Sequence, residues 1–178
     1  NLIPLGTLVR VLSHLLREGV PIRDLRTILE TVADHAASTK DPDILTEVVR
    51  QALGRTITKP YLAPDGSLPI IGLDPRLDRT LADQANAAGQ GNQWVPDPLV
   101  AQKLLTALKA AAERMVGRGH QPVILCSPSL RRHLRKLTDR ILHSVPILGM
   151  NEVESVTRLQ AMETVRLDLD GGDARSLA

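Results

Sequence analysis

The sequence lacks phenylalanine and contains only one tryptophan and one tyrosine, so aromatic residues make up 1% of the chain. Proteins that bind single-stranded nucleic acid commonly stack bases on exposed aromatic side chains. This mode of recognition is therefore nearly excluded. The core must be built from leucine, isoleucine, valine and alanine.

Cysteine is almost absent as well. The single Cys126 cannot form a disulfide within the chain, which fits a reducing cytoplasm. Because it ends an apolar run, we predict that it packs as a small buried hydrophobe. The five histidines are scattered and show no metal-ligand spacing, so we predict neither a metal nor a cofactor.

Long apolar runs and strong net charge are also missing. No stretch approaches the roughly 20 apolar residues that cross a bilayer, and Asn1 does not open a signal sequence. We expect the chain to be an excised piece of a longer protein. The formal net charge of +2 is too small for a dedicated nucleic-acid binder.

In the first part of the chain, apolar residues recur at the spacing of amphipathic helices. We predict a first helix that ends before Gly19, a second over about residues 22–36, and a third that opens at Asp41 and Pro42. The predicted core stripe contains Leu15, Leu16, Ile22, Leu25, Ile28, Leu29 and Val32. The predicted outer face contains Arg17, Glu18, Arg23, Asp24, Arg26 and Glu30. Such mixed charges can set the register of contact with another copy of the chain.

The fold class predicted from these patterns is mixed α and β, with a helical subdomain over residues 1–73 and a small α/β subdomain over 74–169. Between them, Asp65 and Gly66 indicate a turn joining two short extended segments. In the second half, strand, helix and strand patterns predict a βαβ unit, and residues 159–169 an edge strand of a mixed sheet. Residues 170–178 are predicted to be a disordered tail.

Ser127 lies between a predicted strand and a predicted helix, where a nucleophile or a phosphate site also occurs in some enzymes. No Gly-x-Ser-x-Gly elbow surrounds it, and the chain has no phosphate-binding glycine motif. We therefore interpret Ser127 as the N-cap of its helix and predict that the chain is not an enzyme. A small α/β hydrolase or nucleotide-binding domain is the alternative from a different class.

The strongest charge feature is the helix after Ser127. Its cations are Arg131, Arg132, Arg135, Lys136 and Arg140, against the single acid Asp139. This run is either an ordinary solvated face, a surface that docks an acidic protein, or a nucleic-acid site. The missing aromatic residues make the third reading the weakest.

Five blocks along the chain, taken in order, are LLREGVPIRDLRTILE, STKDPDILTEVVRQALGR, LDPRLDRTL, QPVILCSPSLRRHLRKL and VPILGMNEV. Together they resemble the flagellar type III export gate proteins, the FlhA family. The resemblance covers nearly the whole chain and matches the C-terminal cytoplasmic region of that family. Gly149 and Met150 depart from the Ser-Tyr that often precedes the Asn-Glu pair. The virulence-type secretion gate is the related alternative.

The resemblance implies that residues 1–73 and 74–169 are the third and fourth cytoplasmic subdomains of a membrane-anchored parent at the inner membrane. Members of the family form a ring, expected to have nine subunits. Arg17, Glu18, Arg23, Asp24 and Arg26 are candidates for the subunit interface, although the same charges can instead bridge helices within one subdomain. Arg131, Arg135 and Lys136 are candidates for docking the stalk of the export ATPase. Chaperone–substrate complexes are expected to dock mainly on the earlier subdomains, and no nucleic acid is expected.

Overall fold

The computed structural model describes residues 3–89 and 94–169. The helices are α1 (Leu5–Arg17), α2 (Leu25–His35), α3 (Pro42–Ala52), α4 (Gly54–Thr58), α5 (Pro75–Ala87), α6 (Pro98–Gly117) and α7 (Pro128–Thr138). The strands are β1 (Leu68–Leu73), β2 (Ile124–Cys126), β3 (Ile147–Gly149) and β4 (Leu159–Val165). Single turns of 3-10 helix occur at Lys59–Tyr61 and Met150–Glu152. This confirms the predicted fold class.

Two compact units divide the chain. The first comprises the residues up to Pro69 together with Leu148–Gln160, and the second comprises Ile70–Ile147 and the residues from Ala161 onward. The chain therefore leaves the first unit and later returns to it. The predicted assignment of 1–73 and 74–169 to two family subdomains stays a prediction, and the predicted tail at 170–178 lies outside the described residues.

The first unit is helical. α1 and α2 both pack on α3, and α3 and α4 contact the 3-10 turn Met150–Glu152 of the returning segment. The fully or almost fully buried side chains of this core include Val11, Leu15, Ile28, Val32, Leu45, Val49 and Leu53. Burying one such side chain contributes about 1.5–3 kcal/mol, so these stripes outweigh the helix caps.

The second unit is built on a four-stranded sheet in the order β3-β2-β1-β4. β1 pairs with β2 in parallel, with Ile71 opposite Ile124. β4 also runs parallel to β1, because Leu68 N–H donates to Arg158 and Asp74 N–H donates to Val165. The predicted mixed sheet is therefore wrong, since the sheet is parallel, whereas β4 does lie at an edge as predicted.

Of the two extended segments predicted around Asp65 and Gly66, only the second is a strand, namely β1. The turn is present, with Gly66 at φ 79° and Ala63 N–H bonded to Ser67. Lys59–Tyr61, however, is a 3-10 turn, and β1 pairs with strands from far along the chain. β1 is buried at five of its six positions, as expected of a strand inside a parallel sheet.

Asp41 caps α3 as predicted, and Asp74 and Asp97 cap α5 and α6 in the same way. Each accepts a backbone N–H from the first turn of its helix, and each is followed by proline. α2 begins at Leu25, later than predicted, because Asp24 caps it through Thr27. α1 ends as predicted, since Gly19 has φ 71° and donates to Leu16.

Candidate functional site

The turn between α1 and α2, together with the adjoining ends of both helices, carries the predicted subunit-interface residues. Arg17, Arg23, Asp24 and Arg26 are all exposed. The turn is fixed at both ends, by the left-handed Gly19 and by the Asp24 cap. It therefore presents three guanidinium groups from a backbone of defined shape.

Asp24 is held by its own helix. Its carboxylate accepts bonds from the Thr27 hydroxyl at 2.7 Å and from the Thr27 N–H at 3.1 Å. These bonds favour the charged form and lower the pKa of Asp24. Arg26 lies within 2.8 Å of Glu30 on the exposed face of α2, a pair that contributes about 0–1 kcal/mol. Asp24 thus has a local structural role, while Arg26 stays accessible.

Glu18 is the exception among the five predicted interface residues. Its carboxylate lies 3.2 Å from Nη1 of Arg50, and only 16% of its side chain is exposed. The alternative reading, in which the charges bridge helices within one subdomain, therefore describes Glu18. Arg17, Arg23, Asp24 and Arg26 remain predictions for the interface.

Arg50 forms the centre of a buried ionic network that the sequence did not reveal. Its Nε lies 2.6 Å from Oε1 of Glu152, and the two side chains are 3% and 1% exposed. The other oxygen of Glu152 accepts the N–H of Gly149 at 2.6 Å. The network thereby joins the end of α1, helix α3 and the returning segment 148–160 within the first unit.

Gly54 of α4 packs against the backbone of Glu152, which belongs to this network. A Cβ at this position would lie 2.5 Å from the carbonyl oxygen of Glu152 and 3.2 Å from its carbonyl carbon. Only glycine allows α4 to approach the Met150–Glu152 turn so closely.

Several leucines predicted to lie in the core are half-exposed. Leu16, Leu25 and Leu29 retain 55%, 46% and 45% of their surface, whereas Leu15, Ile28 and Val32 are buried as predicted. These leucines are exposed because α3 covers only one face of α1 and one face of α2. Leu5 and Val9 of α1 are exposed too, so the first unit presents apolar side chains on both helices besides the charged turn.

The predicted docking residues of α7 are placed differently from expectation. Arg131 is 2% exposed and its Nη1 donates to the Ile147 carbonyl at 3.3 Å. Arg135 is 9% exposed and donates to the carbonyls of Val145 at 2.8 Å and Leu142 at 3.0 Å. Both therefore hold the chain after α7 in place and are not surface docking residues. Lys136 is exposed, and its docking role stays a prediction.

Ser127 occupies the predicted N-cap position of α7, but its side chain does not cap the helix. Its hydroxyl makes no capping bond and is buried without a hydrogen-bond partner among the described residues. Its N–H instead donates to Asp78 of α5 at 3.0 Å. Cys126 is 3% exposed and packs in the core as predicted. Within residues 3–89 and 94–169, no group of three His, Cys, Asp or Glu side chains is arranged to hold a metal ion.

Glu163 joins β4 to α6 through ion pairs with two arginines. Arg114 donates to Oε2 of Glu163 from Nε at 2.9 Å and from Nη2 at 2.8 Å, and Arg118 lies 3.2 Å from Oε1. The bonds from Arg114 favour the carboxylate and, with the positive charges of both arginines, lower the pKa of Glu163.

This lowered pKa predicts an acid-sensitive contribution to stability. It is fully present above the unfolded-state pKa, near 4.5, and is lost as the pH falls through the lower folded-state pKa. We expect Glu163→Gln to lower the free energy of unfolding at pH 7, and the difference from the native chain to shrink below about pH 4.5. Denaturant titrations at a series of pH values measure this. Glu113→Gln on α6 is the control, and an equal pH trend in both variants would contradict the assignment.

A protein-family model described as the FHIPEP family matches residues 1–158. The chain belongs to the FHIPEP family. Among its relatives, "Flagellar biosynthesis protein FlhA" of Salmonella typhimurium is 39% identical over 165 residues, which cover 93% of this chain and 23% of the relative. The chain thus spans less than a quarter of that protein's length.

Solved FHIPEP-like structures share the fold. The nonameric SctV-C of EPEC, determined by cryo-EM, has a TM-score of 0.79 and 30% identity, over 90% of this chain and 48% of that one. Chlamydia pneumoniae CdsV, solved with CdsO, has a TM-score of 0.79 and 26% identity, over 92% of this chain and 48% of that one. In the described part of the FHIPEP chain, no helix is both long enough and apolar enough to cross a membrane.

Proposed function

We propose that this chain forms part of the cytoplasmic ring of a flagellar type III protein export gate. The observation that carries the proposal is the FHIPEP match over residues 1–158, with flagellar FlhA as a 39% identical relative. The role needs no bond-making chemistry. It consists of holding subunits together and docking other export proteins at the cytoplasmic face of the bacterial inner membrane.

The first unit is the proposed site of contact between subunits. Its α1–α2 turn presents Arg17, Arg23 and Arg26 on a backbone fixed by Gly19 and Asp24. Exposed apolar side chains on the same two helices add the kind of surface that a protein interface buries. Self-association is supported by the nonameric state of the similar SctV-C.

Contacts with other export proteins are proposed for the second unit. The similar CdsV is known in complex with CdsO, which supports an export-apparatus partner for this chain as well. Because Arg131 and Arg135 are buried, any such contact must use other side chains. Chaperone–substrate complexes are proposed to dock mainly on parts of the parent outside this chain.

Reversing the turn charges tests the ring proposal. We expect Arg17→Glu with Arg23→Glu in the full-length parent to reduce assembled rings by about tenfold or more, because like charges across an interface cost several kcal/mol. Electron microscopy of membrane-extracted protein counts the rings, and swimming motility reports function. Arg17 and Arg23 are both exposed, so folding should be unaffected.

The matched control is Lys40→Glu with Arg55→Glu, which makes the same change in charge at two other exposed positions of the first unit. It should leave ring number and motility unchanged. Normal rings in the Arg17 and Arg23 variant would rule the turn out as a subunit contact. If both variants swim normally but the Arg17 and Arg23 variant loses virulence-type secretion, the parent belongs to the virulence branch.

A further inference from the structure

β4 forms one edge of the sheet, and among the described residues it has a strand neighbour on one side only. A strand in this position presents backbone N–H and C=O groups that can pair with a strand of another molecule. β4 is seven residues long and contains no proline, so neither its length nor its composition prevents such pairing. Two other features of the structure interrupt this edge.

The first feature is an extra residue in β4. Leu68 N–H donates to the Arg158 carbonyl, and Asp74 N–H donates to the Val165 carbonyl. Between these two bonds β1 advances by six residues, from 68 to 74, whereas β4 advances by seven, from 158 to 165. Paired strands of regular shape advance together, so β4 contains a β-bulge.

The bulge lies between Arg158 and Met162. Carbonyls of a regular strand point alternately to its two sides, so counting back from Val165 turns the Met162 carbonyl away from β1. Counting forward from Arg158 would turn the same carbonyl toward β1, and the extra residue resolves this conflict. Ala161 and the residue before it are both exposed, which breaks the alternation of burial at the same place.

The second feature is Arg118, which occupies the backbone group that the bulge turns outward. Its Nη1 donates to the Met162 carbonyl at 3.4 Å, while its Nη2 lies 3.2 Å from Oε1 of Glu163. Because Arg114 also binds this carboxylate, an ionic cluster holds the Arg118 side chain at the edge. An added strand would have to displace a guanidinium that is 53% exposed and charged.

Further arginines stand at both ends of β4. Arg158 precedes the strand and pairs with Asp65, and Arg166 follows it and lies 3.9 Å from Asp74. Both arginine side chains are well exposed, at 66% and 79%. If two copies of β4 met in antiparallel orientation, centred on each other, Arg158 of one copy would face Arg166 of the other. Like charges opposite each other disfavour this pairing.

We propose that the bulge in β4 and the guanidinium of Arg118 close this edge of the sheet to strand addition by a second copy of the chain. An assembly that holds many copies close together raises their effective concentration. Within such an assembly an open edge would favour pairing in the wrong geometry, so the closed edge leaves association to other surfaces.

The test opens the edge in the 178-residue chain by deleting Ala161 and adding Arg118→Ser. Deletion removes the extra residue, and the substitution frees the Met162 carbonyl. We expect this double variant to self-associate about a hundredfold more tightly than the native chain, because several backbone hydrogen bonds can form between two copies. Sedimentation equilibrium measures the association, and hydrogen exchange should show newly protected amides in β4.

Arg118→Ser alone leaves the backbone of β4 intact and therefore covers the case in which the deletion prevents folding, which circular dichroism detects. This variant should associate about tenfold more tightly than the native chain. Lys109→Ser is the matched control, because it removes one exposed positive charge from the same helix. It should associate as the native chain does. If Arg118→Ser associates no more tightly than Lys109→Ser, the proposal is wrong.

Thr164→Pro locates the new contact. The N–H of Thr164 points away from β1, because the neighbouring Val165 faces β1, so proline removes a donor only from the free edge. Added to the double variant, Thr164→Pro should return association to the native level. Association that persists in spite of the proline would show that the edge of β4 is not the contact, and it would overturn the proposal. Neither result depends on the Arg17 and Arg23 test of ring assembly.

Discussion

Arg50→Met is expected to lower the free energy of unfolding by about 3–5 kcal/mol, the usual cost of removing one partner of a buried ion pair. The substitution keeps an unbranched apolar stem that reaches about as far as Nε, but it deletes the charge that faces Glu152 at 2.6 Å and Glu18 at 3.2 Å. The Glu152 carboxylate would then stay buried without the guanidinium that compensates its charge. Denaturant titration followed by far-ultraviolet circular dichroism measures the loss.

A second substitution makes this prediction specific. Glu152→Gln in the native chain should destabilise, because it removes the charge that pairs with Arg50. In the Arg50→Met chain the same change should stabilise, since it neutralises an uncompensated charge while its oxygen still accepts from Gly149. A double-mutant cycle therefore gives a change of sign. An equal effect of Glu152→Gln in both backgrounds would show that the pair is not coupled.

Gly54→Ala is expected to destabilise the first unit by about 1–3 kcal/mol, the range found when atoms are forced into a packed site. The new Cβ would lie 2.5 Å from the carbonyl oxygen of Glu152. Backbone cannot rotate away as a flexible side chain can, so α4 or the Met150–Glu152 turn must shift. The same titration measures the effect.

Gly6→Ala is the matched control for this substitution. Gly6 also lies in a helix, but a Cβ there has no atom within 4 Å. Alanine should therefore stabilise α1 by up to about 1 kcal/mol through its better helix propensity. If both variants are stabilised, the close approach at Gly54 is not a constraint on the fold.

Local chemistry explains why the helices could be predicted. Asp41, Asp74 and Asp97 each stand before a proline. A capping aspartate followed by proline, whose φ is fixed, specifies a helix start within a few residues. Gly19 and its left-handed φ end α1 for a similarly local reason. The parallel pairing of β1, in contrast, joins residues that are distant in the sequence, and no local pattern encodes it.

The buried arginines show where charge patterning misleads. Arg131 and Arg135 flank Leu134 and Thr138 on the inward side of α7, so helical spacing alone places them at the edge of the apolar stripe. Their positive charge had instead led to the prediction that they lie on the surface. Arg50 likewise lies at the edge of an apolar stripe, next to the buried Val49 and Leu53. An arginine at the edge of an apolar stripe is thus a usable signal of burial, although its partner cannot be read from the sequence.

The distance along the chain between Arg50 and Glu152 also affects how the protein is made. These residues are 102 positions apart. At ordinary translation speeds, a ribosome needs roughly 5–20 s to add the intervening residues. During that interval Glu18 is the one partner already made for Arg50 in this network, and the new helices can complete their core only after nearly all of the second unit has been synthesised.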